Sequence, residues 1–282
     1  MLQSHAWWQS GVVYQVYPRS FMDSNSDEAH LPFNFQLITT EKWDDQLLRS
    51  KVNPYELALP EGAWPNWVLS NHDNARVASR VGSEQARIAQ MLLLTLRGTP
   101  TCYYADELGL PDVPVPPEFR TDPQGKFGAE FGRDPERTPM QWDAGINAGF
   151  TAPGVTPWLP LSADYQVRNV EEQRKDPHSF LSLIRTLLQV RRTQPALNVG
   201  TYQPIDAVPA GCFSYLRQYE DQRFLIVLNC GAEELEVELP RLGTGRIVIS
   251  THMDHEGTLD LARFSLPANE GYVIQLAEEI PA

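Results

Sequence analysis

The sequence predicts an α/β protein in two parts: parallel strands alternating with helices over residues 1–195, then an antiparallel β-sandwich over residues 196–282. Three observations carry this. Short apolar runs rich in β-branched and aromatic residues each precede a stretch with helical periodicity, and that unit repeats along the first two thirds of the chain. After Pro195 the period shortens to strict alternation. Strands that alternate with helices imply a parallel sheet, whereas closely spaced alternating strands imply an antiparallel one.

The elements follow in order. Gly11 to Phe21 contains Val-Val-Tyr-Gln-Val-Tyr and reads as a buried strand, as does Phe33 to Ile38. Thr39 or Thr40 then caps a helix with Trp43, Leu47 and Val52 on one face, which Pro54 stops. Trp67 to Ser70 is a short strand. Ser83 caps a helix carrying Ile88, Met91, Leu92 and Leu96, ended by Arg97, Gly98 and Pro100. Thr101 to Ala105 is the next strand. A Pro- and Gly-rich stretch from Leu110 to Pro160 is too long for a plain connection, so it is either functional or poorly ordered. Asp176 and Pro177 open a helix with Phe180, Leu181, Ile184, Leu187 and Leu188 inward and Arg191 and Arg192 at its end. The β part comprises Cys212–Tyr219, Phe224–Leu228, a strand around Leu235, Val237 and Leu239, then Arg246–Ser250 and Gly271–Leu276.

Composition narrows the partners. Lys+Arg 23 against Asp+Glu 36 gives a formal net charge of −13, which repels phosphate backbones and anionic membrane surfaces. A nucleic-acid or membrane partner is therefore not expected, while neutral substrates stay open. Cys102, Cys212 and Cys230 are odd in number and lack any C-x-x-C spacing, so they read as reduced packing residues. The first ten residues have no basic-then-apolar pattern and no apolar run is long enough to span a bilayer, so a cytoplasmic protein is expected. Most of the seven Trp and ten Tyr are expected in the core, although aromatics also suit stacking on sugar rings.

The sharpest local feature is Trp67-Val-Leu-Ser-Asn71-His72-Asp73-Asn74-Ala75-Arg76, where a strand delivers polar side chains and an arginine at its carboxyl end, the end that carries chemistry in parallel α/β barrels. By itself the tripeptide reads equally well as a turn in which Asn71 or Asp73 bonds local backbone. Context comes from three other segments. Trp7 to Asn25 resembles the first barrel strand of bacterial α-glucosidases and oligo-1,6-glucosidases; Asn71-His72-Asp73 with Arg76 resembles a strand-seven signature. Thr99 to Gly109 is similar to strand eight, and Gly132-Arg-Asp-Pro-Glu-Arg-Thr-Pro-Met-Gln-Trp-Asp143 to a segment typical of the α-glucosidase branch. The four in this order resemble glycoside hydrolase family 13.

The resemblance implies a (β/α)8 TIM barrel with an antiparallel C-terminal domain, acting with retention on terminal α-linked glucose in oligosaccharides. By motif match Asp73 is the carboxylate that binds sugar hydroxyls and stabilises the transition state, with His72, Arg76 and, more weakly, Arg133 as substrate ligands. Hydroxyls that gain acidity as the ring becomes oxocarbenium-like bond a fixed carboxylate more strongly in the transition state.

The chain departs from that pattern after Asp27, passing within a few residues to Ala29–Ile38, which resembles strand six. Strands two to five and an inserted small domain are expected to be missing, leaving a partial barrel of strands one, six, seven and eight. The nucleophilic Asp and the acid/base Glu go with them, whereas retaining hydrolysis needs two carboxyls about 5 Å apart. Asp106 and Glu107 past strand eight, or Asp27 and Glu28 at the junction, are poor substitutes because a misplacement of about 1 Å costs on the order of a hundredfold. No cofactor is required. Asp23, Asn25 and Asp27 have the D-x-N-x-D spacing that opens a calcium loop, but the glycine and later ligands are absent, so a weak structural calcium site competes with a solvated acidic turn. An opened barrel exposes strand edges, so self-association is expected. The expected function is an α-glucosidase by descent with hydrolysis impaired; the alternative is a non-catalytic sugar-binding or protein-interaction module.

Overall fold

A computed structural model of the chain describes residues 11–15, 33–39, 43–60 and 62–277. The junction around Ser26–Ala29 and the expected calcium ligands Asp23, Asn25 and Asp27 lie outside the described residues.

The first part holds a parallel three-stranded sheet, β1 (Val13–Gln15), β2 (Asn66–Val68) and β3 (Thr99–Tyr103), in the order β1-β3-β2. The expected strand at Phe33–Ile38 is corrected. Only Asn34 pairs, as a parallel bridge to Trp67 with its N–H on Asn66 O at 2.9 Å, and Phe35–Leu37 is a turn of 3₁₀-helix. The Asn34 carboxamide explains this, because Oδ1 accepts from Gln36 N at 2.9 Å and caps the turn instead of letting the strand continue.

Helix α1 (Asp45–Ala58) is capped by Asp44, whose Oδ1 accepts from Leu47 N at 2.8 Å, and not by Thr39 or Thr40. It also runs through Pro54. Pro54 and Ser50 both face solvent, where water can replace the hydrogen bond that proline removes, while Leu48, Val52 and Glu56 stay buried on the inner face. A short helix α2 (Val77–Val81) and α3 (Ser83–Thr95) follow β2. Gly98, at φ 111°, turns α3 into β3; a Cβ there would sit 2.4 Å from Pro65 O.

From Leu110 the chain forms a series of 3₁₀ turns, among them Pro123–Phe127 and Pro135–Arg137, and this stretch meets the carboxyl ends of β2 and β3 through Arg133 on Asp73 and Glu136 O on Tyr103. Helix α4 (Val170–Lys175) is capped by Asn169, and α5 (Phe180–Thr193) by Ser179, whose Oγ accepts from Ser182 N at 3.1 Å. A turn of helix, α6 (Pro195–Asn198), leads out.

The C-terminal part is a six-stranded antiparallel sheet in the order β4-β5-β6-β11-β8-β9, from β4 (Thr201–Ile205), β5 (Cys212–Tyr219), β6 (Gln222–Asn229), β8 (Thr244–Ser250), β9 (Gly257–Asp260) and β11 (Gly271–Leu276). A two-stranded pair, β7 (Leu235–Val237) with β10 (Phe264–Leu266), covers one face. Alternation explains why Phe224 to Leu228 is apolar throughout. Phe224, Ile226 and Leu228 pack with Leu92, Leu183 and Leu187 of α3 and α5 in the largest core, while Leu225 and Val227 pack with Phe264 and Leu266 on the other face. Each fully buried side chain contributes about 1.5–3 kcal/mol. No described helix is long and apolar enough to cross a membrane.

Candidate functional site

The chain turns sharply where β2 ends. Asn71 Oδ1 accepts from Asp73 N and from Asn74 Nδ2, both at 2.9 Å, and Asn71 and Asn74 form an isolated antiparallel bridge. The turn reading therefore holds for Asn71, and its consequence is chemical: the reversal carries Asp73 outward, with its side chain 43% exposed.

Two arginines converge there. Asp73 Oδ1 accepts from Arg133 Nη1 at 2.7 Å and from Arg137 Nη2 at 2.9 Å, and Oδ2 lies 3.4 Å from His72 Nε2. Gln15 Nε2 is 3.5 Å from His72 Nδ1, which brings the end of β1 to the same place. Arg133 is itself fixed. Asp122 Oδ2 accepts from Arg133 Nε at 2.9 Å and from its backbone N at 2.7 Å, and Oδ1 accepts from Nη2 at 2.8 Å. These bonds hold the Asp122 carboxyl well below the usual carboxylate range. Asp134 braces the same loop, its Oδ2 accepting from Thr121 N at 2.7 Å and Asp122 N at 3.0 Å.

Arg137 escaped the sequence reading although it stands in the quoted Gly132–Asp143 segment. A signal existed, since Arg133 and Arg137 are four residues apart, one just before and one at the end of a turn opened by Pro135. Its Nε donates to His72 O at 2.7 Å, so one guanidinium ties the strand-end backbone to the Asp73 carboxylate.

Arg76 is corrected. It is fully buried, not a surface ligand: Nη1 donates to Tyr104 O at 2.6 Å and lies 3.6 Å from Asp106 Oδ1, and the guanidinium stands 4.8 and 4.7 Å from the Tyr103 and Tyr104 ring centres. A cation flanked by two tyrosine rings and a buried carboxylate gains more there than in water. Asp106 and Glu107 also turn inward. Burial pushes the Asp106 carboxyl up to about 7 against the pull of Arg76, and burial likewise raises Glu107, whose Oε1 accepts from Tyr14 OH at 2.5 Å.

The structure thus brings His72, Asp73 and Arg133 together with Arg137 and Asp122, and sets Arg76 behind them. A half-exposed carboxylate held by two guanidiniums keeps lone pairs that can accept hydrogen bonds from a ligand. Asp122, the other carboxylate in this cluster, is covered and has both oxygens on Arg133, so it offers nothing to a ligand.

Comparison with known proteins decides the family. Residues 20–200 match the alpha amylase catalytic domain. The chain belongs to that family. Maltase A1 of Drosophila melanogaster is 35% identical over 243 residues, covering 81% of this chain and 41% of the maltase. The amino acid transporter heavy chain SLC3A1 of Mus musculus is 32% identical, covering 90% of this chain and 37% of its own length. Among solved structures the trehalulose synthase MutB of Pseudomonas mesoacidophila superposes with a TM-score of 0.78 at 27% identity, covering 89% of this chain and 51% of the synthase. The fold of this alpha-amylase-family chain is a partial TIM barrel carrying a sheet domain. It spans about two fifths of the length of the curated relatives it matches.

Proposed function

We propose that this family member recognises terminal α-linked glucose through Asp73 but does not hydrolyse it efficiently. The arrangement of Asp73 between Arg133 and Arg137 carries the reading: it is a preformed, exposed carboxylate at a strand end. In this reading β1, β3 and β2 correspond to barrel strands one, eight and seven, and the Asn34 bridge is what remains of strand six. Strands two to five are left out between Asp27 and Ala29, and with them the attacking and proton-donating carboxyls. The names maltase and trehalulose synthase support a glucoside ligand. Because Asp73 is already paired with two arginines, a sugar has to share those bonds, so affinity falls in the millimolar range, about −4 kcal/mol at 1 mM.

The test is a maltose titration of the purified chain and of Asp73→Ala. Saturable millimolar binding that disappears in the variant supports the reading. Binding that survives the substitution removes Asp73 from the site.

The transporter heavy-chain relatives favour a second reading, in which the chain serves as a protein-interaction module. Equal failure of the native chain and of Asp73→Ala to bind maltose would favour it.

A further inference from the structure

The arginine that the strand-seven motif offers as a ligand is buried, and the arginine that reaches Asp73 stands elsewhere. The bonds between them form a continuous path. Arg76 lies beside the rings of Tyr103 and Tyr104 and holds Tyr104 O. The two tyrosine hydroxyls leave that cluster in one direction, Tyr103 OH donating to Glu136 O at 3.0 Å and Tyr104 OH to Thr138 O at 2.7 Å. Those two carbonyls flank Arg137 in sequence. The backbone N of Arg76 fixes the start of the same loop through Asp112 Oδ1 at 2.9 Å, and Val113 N donates to Pro135 O at 3.2 Å.

We propose that Tyr103 and Tyr104, steadied by Arg76, are positioning residues for sugar recognition, acting through Arg137, which is itself a sugar ligand alongside Asp73. This rests on the glucoside-binding reading. Chemistry favours the arrangement. Arg76, Tyr103, Tyr104 and Thr138 are fully buried, so each hydroxyl-to-carbonyl bond is made in a dry environment and fixes the backbone on both sides of Arg137. An arginine on a loop otherwise loses several rotatable bonds on binding; one whose backbone is clamped and whose Nε is spent on His72 O presents only its terminal nitrogens. Nη2 donates to Asp73 Oδ1 at 2.9 Å and Nη1 lies 3.8 Å from Asp122 Oδ1, and vicinal sugar hydroxyls fit between the Asp73 acceptor and the guanidinium donors beside it.

The experiment uses the full chain with Tyr104→Phe, Arg137→Lys and the double variant. Tyr104→Phe removes one neutral hydrogen bond and no bulk, so maltose affinity should fall about fivefold, with a drop of roughly a few degrees in the melting temperature from the buried Thr138 O left unbonded. The double variant should bind no more weakly than Arg137→Lys alone, because the tyrosine acts through that arginine. Additive losses overturn the proposal, as does unchanged affinity in Tyr104→Phe. A second readout is independent of sugar. The Arg137 Nε–H resonance, assigned by its loss in Arg137→Lys, should be protected from hydrogen exchange in the native chain and less protected in Tyr104→Phe. If the native chain binds no maltose, the glucoside reading fails while this resonance still reports the clamp; equal protection in both proteins overturns the clamp. Should Tyr104→Phe fold poorly, Tyr103→Phe, which frees Glu136 O, gives the same two readouts.

Discussion

Asp73 and Asp122 are both aspartates bonded to Arg133, yet their surroundings give them different work. Asp122 is covered and holds Arg133 by three hydrogen bonds, whereas Asp73 meets the same arginine from the solvent side. Asp122→Asn should cost about 2 kcal/mol, the range for a charge-assisted bond, and should weaken sugar binding by loosening Arg133; urea unfolding and a maltose titration check both. The buried acids set a pH dependence. Asp106 is pushed from an ordinary value of 3.8 up to about 7, chiefly by burial. The folded state therefore holds a proton that the unfolded chain has lost, so this contribution is complete below about 4 and disappears as pH rises towards 7. Glu136, raised to about 7 by burial and by Asp112, adds a slope of the same sign. Asp106→Asn should flatten the fall in melting temperature between pH 4 and 7, and an unaltered slope would mean that Asp106 does not carry it.

At the scale of elements, the helix–sheet contact depends on two fully buried arginines. Arg191 of α5 donates through Nη1 to Leu94 O and Leu96 O at 2.8 and 2.9 Å, and through Nη2 to Gly98 O. It caps the carboxyl end of α3 where the helix dipole is negative. Arg217 of β5 reaches the same helix end at Thr95 O. Arg191→Met keeps the bulk and strands three carbonyls, so a loss of about 3 kcal/mol or more is expected in urea unfolding. What could be read in the sequence follows the same physics. Elements with strong periodicity or a sharp stop were legible, as with Cys212–Tyr219, Gly271–Leu276 and the inward stripe of α5, because burial alone dictates them. The Phe33–Ile38 strand was misread because the Asn34 side chain competes with the ladder. Arg76 was misplaced because its motif spacing carries no information about Tyr103 and Tyr104 folding over it. Arg137 and Asp122 were missed because their partners lie 64 and 11 residues away, in a loop whose path no periodicity encodes.

At the scale of the whole molecule, His252 ties the C-terminal sheet to α3. Its Nδ1 is 2.7 Å from Glu270 Oε2 and its Nε2 2.9 Å from Glu84 Oε2, and the Glu270 hydrogen bond leads in raising it to about 9. A histidine whose folded value exceeds its ordinary 6.5 stabilises fully below that value and loses the contribution as pH rises through 9. With solvent screening the loss is roughly 1 kcal/mol, and His252→Gln should remove it from the melting curves between pH 6.5 and 9. The partial barrel sets the functional limit. In the function proposed above, one strand end supplies a recognition carboxylate with its arginines, and the chain has no partner carboxyls to cleave what it holds. A single proton-NMR titration of the purified chain with maltose, followed for hours, reads both halves of that claim. Saturable shifts at millimolar sugar are expected while the maltose signals stay intact; steady conversion of maltose to glucose would contradict recognition without cleavage.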